Sequence, residues 1–564
     1  MNYWLTHFEK SGMTESPDYN STIKYFEKFE KNFPFVKIKD FGTTPQGRKL
    51  KIIIVSKDKA FTPDEAKKTG KAIVLIQNGI HPGEIEGKDA CMLMLKEILV
   101  TKEKFHLLDN VILLIIPVLN IDGHERLSPF NRPNQKGPKQ MGWRTNALNL
   151  NLNRDYMKAD TPEIQSFLKL FSDWLPDFMI DNHTTNGADY QYHVTYGIEK
   201  HQNLDRGLVN LVKEKYLPFL IRKVETDGFL VGPYMEFKDG TIESGILELP
   251  SPPRLSHGYC AVQNRVCLLV ETHSLKPFAN RVFSTKSMMI HTLDFINSNH
   301  KEIVELNKQA DKNPVRNYLI GKKKFPLVLV GSGKFDKFLF KGFKWYDEYS
   351  EVMGSVVRKY TDVPIEVEIP IFNHSKSLKK IIVPDAYLIP QEFQNIIRVL
   401  SYHNVKFNQL KRNKYFKVEL YRFTDVSFAP RPYEGRQLPS FQTECFQEKL
   451  ELPAGTFIVP TNQRTLRIIV NLLEPDAPDS FVHWGFFNSF FERKEYAEAY
   501  VMEPYAKAML ENDASLKSEF YRKLESDKKF RNNPLERLDY FYRRSPFFDK
   551  KENVYPILRL VNNK

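Results

Sequence analysis

Two uninterrupted apolar runs limit what this chain can fold into. Residues 72–76 (AIVLI) and 111–118 (VILLIIPV) have no alternation between apolar and polar positions. An unbroken run of this length suits a strand covered on both faces, as in the centre of a sheet layered between helices. The first run leads straight into a polar turn, QNGIHPGE, that contains His81 and Glu84. The residues after Ile85 read as a helix, with Cys91, Met94, Leu95 and Ile98 as its apolar face. A histidine and a carboxylate leaving the carboxyl end of a buried strand stand where open α/β sheets place their ligands.

The rest of the first 300 residues repeats this alternation. Residues 18–34 predict an amphipathic helix with Ile23, Phe26, Phe29 and Phe33 on one side, capped by Asp18, Asn20 or Ser21. Short strands follow at 36–38 and in KLKIIIVSK, joined through FGTTPQGRKL, whose Gly and Pro residues mark a turn. Thr161 and Pro162 open a helix to Trp174. Residues 178–180 form a strand running into DNHTTNG, and 203–220 and 283–310 read as helices. Strands alternating with helices predict one α/β domain around a mixed sheet.

Past Lys312 the texture changes to short β-rich runs (FPLVLV, IEVEIPIF, KVELYRF, TFIVP) among Pro, Gly and Lys turns. From residue 442 it changes again, with an apolar stretch at 461–473, an aromatic one at 484–491 and a helical one at 495–529. The expected division is 1–311, 312–441 and 442–564, the last packed on the rest of the chain. Low apolar content makes the final 35 residues read as a surface segment.

Composition narrows the function classes. The net charge is +13, but Lys and Glu are interspersed and no nucleic-acid-binding motif accompanies them. The charge is therefore read as solvated surface, with no nucleic-acid partner. Four scattered cysteines provide neither a disulfide scaffold nor a thiolate cluster, and Cys260 and Cys267 are read as buried thiols. No apolar run is long enough to span a bilayer, which takes about 18 residues. The amino terminus, MNYWLTHFEKSG, lacks an apolar signal core. The expected compartment is periplasmic or secreted if a signal was removed from a precursor, and cytoplasmic otherwise.

The HxxE pair alone is a weak motif, since an ordinary surface turn can carry it. His183, just after a second short strand, strengthens it. Two histidines and a carboxylate with one open position are the ligand set of a catalytic zinc. Asp181, two residues before His183, reads either as a carboxylate that holds the His183 tautomer or as a side chain that points away. Glu271 ends the apolar run CLLV. It reads either as a salt-bridged strand terminus or as the general base beside a metal. Arg144 and Arg154 sit in polar loops and offer rigid forks to a carboxylate or a developing oxyanion, although a surface pairing with Asp155 would also account for Arg154.

Taken in order, GIHPGE, NIDG, WR, NRD, a second histidine and a late glutamate resemble the zinc metallocarboxypeptidases of the carboxypeptidase A type, over residues 15–300. The resemblance implies an α/β/α sandwich around a mixed, mostly eight-stranded sheet, with β-rich and mixed carboxy-terminal domains beyond it. It implies one Zn2+ per chain, held by His81, Glu84 and His183. Glu271 is then the base, Arg144 polarises the scissile carbonyl, and Asn153 and Arg154 clamp a substrate's terminal carboxylate. The implied reaction is hydrolysis of a carboxy-terminal peptide or peptide-like amide by metal-activated water.

Two departures stand out. Gly83 occupies a position where the family often carries arginine, which removes one contact to residues further from the substrate's terminus. The family's substrate-closing tyrosine has no clean match, and Tyr234 and Tyr259 are the nearest candidates. The chain resembles a divergent bacterial branch with carboxy-terminal extensions. An amidase or deacylase acting on small N-acyl amino acids or cell-wall fragments is the alternative enzyme. A catalytically inactive binding protein on the same scaffold is the alternative of another class.

Overall fold

Hydrogen bonding joins eight strands into one mixed sheet in a computed structural model that describes residues 2–561. The strands of the amino-terminal half are β1 (Val36–Thr43), β2 (Lys49–Val55), β3 (Ala72–Gln77), β4 (Val111–Ile116), β5 (Phe178–Thr185), β6 (Val194–Ile198), β7 (Val231–Pro233), the two-residue β8 (Ile246–Leu247) and β9 (Val266–His273). All but β8 belong to the large sheet, in the order β1-β2-β4-β3-β5-β9-β6-β7. Its centre, β4-β3-β5-β9, is parallel, while β1, β2 and β6 pair antiparallel.

The unbroken apolar runs serve both faces of this sheet. Val74, Ile76, Leu113, Ile115 and Ile180 point into a core built with Phe26, Phe29, Met94 and Met289. Their neighbours Ile73, Leu75, Ile112, Leu114 and Met179 point into the opposite core, with Phe167, Phe171 and Tyr259. Successive side chains on a strand face opposite ways, so only a strand covered on both sides needs every position apolar. The covering helices begin where the sequence signals them. Asp18 accepts from Ser21 N at 2.7 Å to cap Tyr19–Asn32. Thr161 caps Pro162–Trp174 with proline at the first turn.

The second half contributes β10 (Phe325–Gly331), β11 (Asp336–Ser350), β12 (Ser355–Phe372), β13 (Ser375–Ile381), β14 (Ala386–Ile389), β15 (Asn408–Gln409), β16 (Lys414–Phe428), β17 (Pro439–Leu452), β18 (Phe457–Pro460) and β19 (Leu558–Leu560). β10 pairs with β13, β11 and β12 form a long ribbon joined by β8, and the rest form a six-stranded sheet, β15-β18-β14-β19-β16-β17. The expected division at residue 441 falls inside β17, and strands from both sides of it share that sheet.

The reading of the last 35 residues as surface needs correction. Tyr555, Ile557 and Leu558 are buried, and β19 lies between β14 and β16. Phe530, Tyr540, Phe541 and Tyr542, on the helices Lys528–Asn532 and Pro534–Tyr542, are buried as well, and an average over the segment conceals both groups. No helix among the described residues is long and apolar enough to cross a membrane.

Arg281 ties the site-bearing loops to the long helix Phe278–Pro314. It is fully buried and paired with Glu86, and its guanidinium donates to the carbonyls of Lys136, Gly137 and Lys276. Removing one partner of a buried ion pair strands the other charge, at a cost of about 3–5 kcal/mol. Arg281→Met is therefore expected to lower unfolding stability by roughly that amount in a denaturant titration. A loss within experimental error would show that this pair does not anchor the loops.

Candidate active site

The register of three parallel strands brings the chemistry together. Gln77 at the end of β3 pairs with Asp181 on β5, and His183 pairs with Glu271 on β9. Beyond β3 the chain turns through His81 and Glu84 into the helix Glu86–Leu95. Close approach at this turn requires glycine at position 87, where a Cβ would lie 2.2 Å from Asn78 Oδ1 and 2.6 Å from Asn182 Cβ.

His81, Glu84 and His183 offer ligand atoms that all lie within 4.8 Å of one another, and all three residues are buried. Nδ1 of His81 lies 3.2 Å from Glu84 Oε2, and Nδ1 of His183 lies 3.0 Å from the same oxygen. The other nitrogen of each ring is held from behind. His183 Nε2 meets Asp181 Oδ2 at 2.8 Å, so that carboxylate does not point away. His81 Nε2 meets Asn151 Oδ1 at 3.0 Å. That amide orientation is fixed because the same oxygen also accepts from Asn153 N at 3.0 Å.

This arrangement tests whether a metal fits. Burial lowers the His81 pKa to about 4, so the ring is neutral at ordinary pH. Its single N–H is spent on Asn151, which leaves a lone pair on Nδ1 facing a carboxylate oxygen. Two acceptors facing each other in a buried site call for a cation between them. Histidines that donate one ring nitrogen to a protein acceptor and offer the other are also the usual metal-binding form. Among the described residues, these three constitute one His–Glu–His zinc site.

Electrostatics around the site are strong. Burial alone would raise the Glu84 carboxyl, but His81, Arg132 and His183 hold it well below the usual carboxylate range. Burial likewise disfavours charge on His183, yet Asp181 and Glu84 more than offset this and raise its pKa well above the ordinary value. Glu271 is pushed up to about 8 by burial; Glu84 and Asp181 add to the rise, and His183 and Arg144 oppose it.

A cleft of about 700 Å³ opens over these groups and contains His81, Glu84, His183, Glu271, Arg144, Asn153, Arg154 and Tyr234 among its lining. Arg144 Nη1 lies 3.1 Å from Glu84 Oε1. Asn153 uses Oδ1 to accept from Ser256 N. Arg154 donates through Nε to Tyr433 and through Nη1 to the Asn153 carbonyl. Asn153 Nδ2 and Arg154 Nη2 have no protein partner among the described residues. Away from the ligands the walls mix apolar side chains (Ile198, Leu247, Leu249, Leu255 and Leu269) with polar ones, among them Glu236, Glu248 and His257.

Of the two tyrosine candidates, Tyr234 lines the cleft and feels the charge of Glu271. Tyr259 does not reach it, and its expected substrate role is corrected. Its ring is fully buried between Tyr156 and Phe171, and its hydroxyl is bonded to Gln263 and His403.

Two site residues escaped sequence reasoning. Asn151 could have been found from the spacing Asn151-x-Asn153, two polar residues on one tight turn. Arg132 has no motif around it. Its Nη2 lies 3.0 Å from Glu84 Oε1, and its Nε donates to Gln135 Oε1. A Cβ at Gly83 would come 2.7 Å from Arg132 Cγ and Cδ. The absence of a side chain at residue 83 is thus what lets Arg132 cross above it, and a guanidinium reaches the glutamate from another loop.

Comparison with known proteins agrees with this site. A family model described as zinc carboxypeptidase matches residues 22–192. Among curated proteins, "Carboxypeptidase 2" of Trichophyton rubrum is 23% identical over 458 residues, covering 78% of each chain. The Trichophyton tonsurans protein of the same name is 23% identical over 461 residues, again covering 78% of each. Among solved structures, a metallo-carboxypeptidase from Burkholderia cenocepacia is 18% identical, with a TM-score of 0.35, covering 48% of this chain and 68% of that one. Carboxypeptidase A from Helicoverpa armigera is 17% identical, with a TM-score of 0.35, covering 53% and 74% respectively.

The raised His183 pKa gives metal binding a pH dependence. The raised pKa means that the metal-free ring holds two protons more readily than a free imidazole does, with Asp181 and Glu84 facing its two nitrogens. A metal at Nδ1 must displace one of those protons. Calorimetric titration of the metal-free protein with zinc, in buffers of different ionisation enthalpy, is expected to show proton release on binding. Affinity is expected to fall about tenfold per pH unit below the His183 pKa. Binding with no proton release at any pH would refute the raised pKa of this ring.

Proposed function

We propose, from a zinc carboxypeptidase-like fold that holds a His–Glu–His zinc site, that this protein removes the carboxy-terminal residue of a peptide or peptide-like substrate. The observation that carries the proposal is that one cleft holds the metal ligands, a carboxyl in register with one of them, and unspent donors on Asn153 and Arg154. Zinc held there supplies Lewis acidity, which polarises a carbonyl and acidifies water.

The chain's own residues supply the rest. Asn153 Nδ2 and Arg154 Nη2 receive the substrate's free carboxylate, which fixes the terminal residue against the cleft walls. Arg144 stabilises the charge that develops on the scissile carbonyl oxygen. Glu271 takes a proton from the attacking water as the C–O bond forms. It then gives that proton to the departing nitrogen as the C–N bond breaks. A carboxyl whose burial raises its pKa suits a group that must both accept and return a proton near neutrality. Tyr234 is a phenol of the cleft wall that feels the charge of this base.

We assign residues 1–311 as the catalytic unit and place the chain with the divergent bacterial branch that carries carboxy-terminal extensions. The length beyond residue 311 is the ground for that placement, and the fungal relatives named above, matched over 78% of this chain, share part of that length.

Glu271→Gln is expected to lower turnover by about 10²–10⁴-fold while zinc content stays at wild-type level. Full activity in this variant would eliminate Glu271 as the base. Paired peptides with free and amidated termini test the clamp. Wild type is expected to release amino acids from the free acid only, and Arg154→Ala is expected to lose most of that preference. Equal cleavage of both peptides by wild type would overturn the exopeptidase reading.

A further inference from the structure

The geometry points to the tip of the β16–β17 hairpin, far along the sequence, as a built part of the substrate site. Tyr433 and Glu434 act there as positioning residues for Arg154 and Asn151. The inference rests on the clamp role proposed for Arg154 and adds a specificity device contributed by the carboxy-terminal half.

Arg154 Nε donates to Tyr433 Oη at 2.9 Å. One residue on, Glu434 Oε2 accepts from Asn151 N at 2.8 Å. These contacts hold the two ends of the turn 151–154. That turn presents Asn151 Oδ1 to His81 and carries the donors for the substrate carboxylate. An arginine in an open cleft has several rotamers available. A hydrogen bond at Nε fixes the plane of its fork and leaves Nη2 to face the substrate.

The hairpin tip is itself rigidly held. Tyr433 N donates to Arg436 O, and Arg436 N donates back to Tyr433 O, which closes a two-residue turn. Glu434 and Gly435 both have positive φ, +49° and +74°. This backbone is the hairpin turn that favours Asn-Gly or Asp-Gly, and glutamate at its first position is strained. The strained residue is the one whose carboxylate reaches the active-site turn.

Around it, the Tyr433 ring stacks on buried Trp484 at 6.0 Å with an interplanar angle of 14°. Arg436 Nε bonds Asp160 Oδ2 at 2.8 Å, five residues beyond Asp155 at the other end of the same loop. The hairpin is thus fastened to the catalytic half on both sides of the turn it supports.

The test compares variants of the full, zinc-loaded chain. Tyr433→Phe keeps the ring stacked and removes only the hydroxyl. It is expected to raise KM for a peptide with a free carboxy terminus about tenfold, with kcat changing far less, and to leave cleavage of the amidated peptide as in wild type. Glu434→Ala is expected to weaken zinc binding about tenfold in competition with a chelator, through loss of order at Asn151 and His81. Glu434→Gln, which retains an acceptor oxygen, is expected to restore most of that affinity.

An unchanged KM for the free acid in Tyr433→Phe, with wild type still discriminating between the two peptides, would overturn the inference and leave the carboxypeptidase reading standing. Failure of wild type itself to discriminate would overturn both. A fall in kcat on the free acid as large as the rise in KM would assign Tyr433 a general structural role and overturn the inference as well.

Discussion

Everything chemical in this protein depends on the register of three parallel strands. Pairing His183 with Glu271, and Gln77 with Asp181, fixes which side chains share a face at the carboxyl ends of β3, β5 and β9. Slipping one strand by a single residue would send His183 or Glu271 to the opposite face and dismantle the site. The register is in turn held by two apolar cores that interlock with alternate residues of every central strand. The site's dense polar groups are therefore confined to strand ends, where the apolar runs stop.

This confinement is why half of the site could be read directly from the sequence. A buried strand needs apolar residues throughout, so His81, Glu84, His183 and Glu271 stand out at the end of each run or just beyond it. The rest of the site comes from loops, where no periodicity fixes a side chain's direction. Arg132 lies in a segment of Asn, Pro and Gly with no regular spacing, and only the packed structure shows it crossing Gly83 to reach Glu84. Tyr259 misled for the converse reason. It is one of the two tyrosines nearest to a match before Glu271 in sequence, but its helix, Ser256–Val262, turns the ring into the core beneath the sheet.

The carboxy-terminal half was the least legible. Its short β-rich runs suggested separate modules, and composition located a change of texture without showing what it packs against. In the fold, Tyr387, Ile396, Leu400, Ile469, Leu472 and Phe487 complete the same core that backs β3 and the helix Pro162–Trp174. His403 bonds both Tyr259 and the Met157 carbonyl, and Arg254 pairs with Asp479 close to the cleft. Contacts between residues 144 or more apart leave no trace in local spacing. They nonetheless make the extension continuous with the catalytic half in packing.

The chemistry proposed for this cleft requires that His81, Glu84 and His183 together hold one metal. Elemental analysis of the purified chain, after exposure to zinc and removal of excess, is the direct test. One zinc per chain is expected in the wild-type protein, and its loss in folded His81→Ala, His183→Ala and doubly substituted variants. A wild-type protein that retains no stoichiometric zinc or other divalent metal, or a double variant that still holds one equivalent, would contradict it.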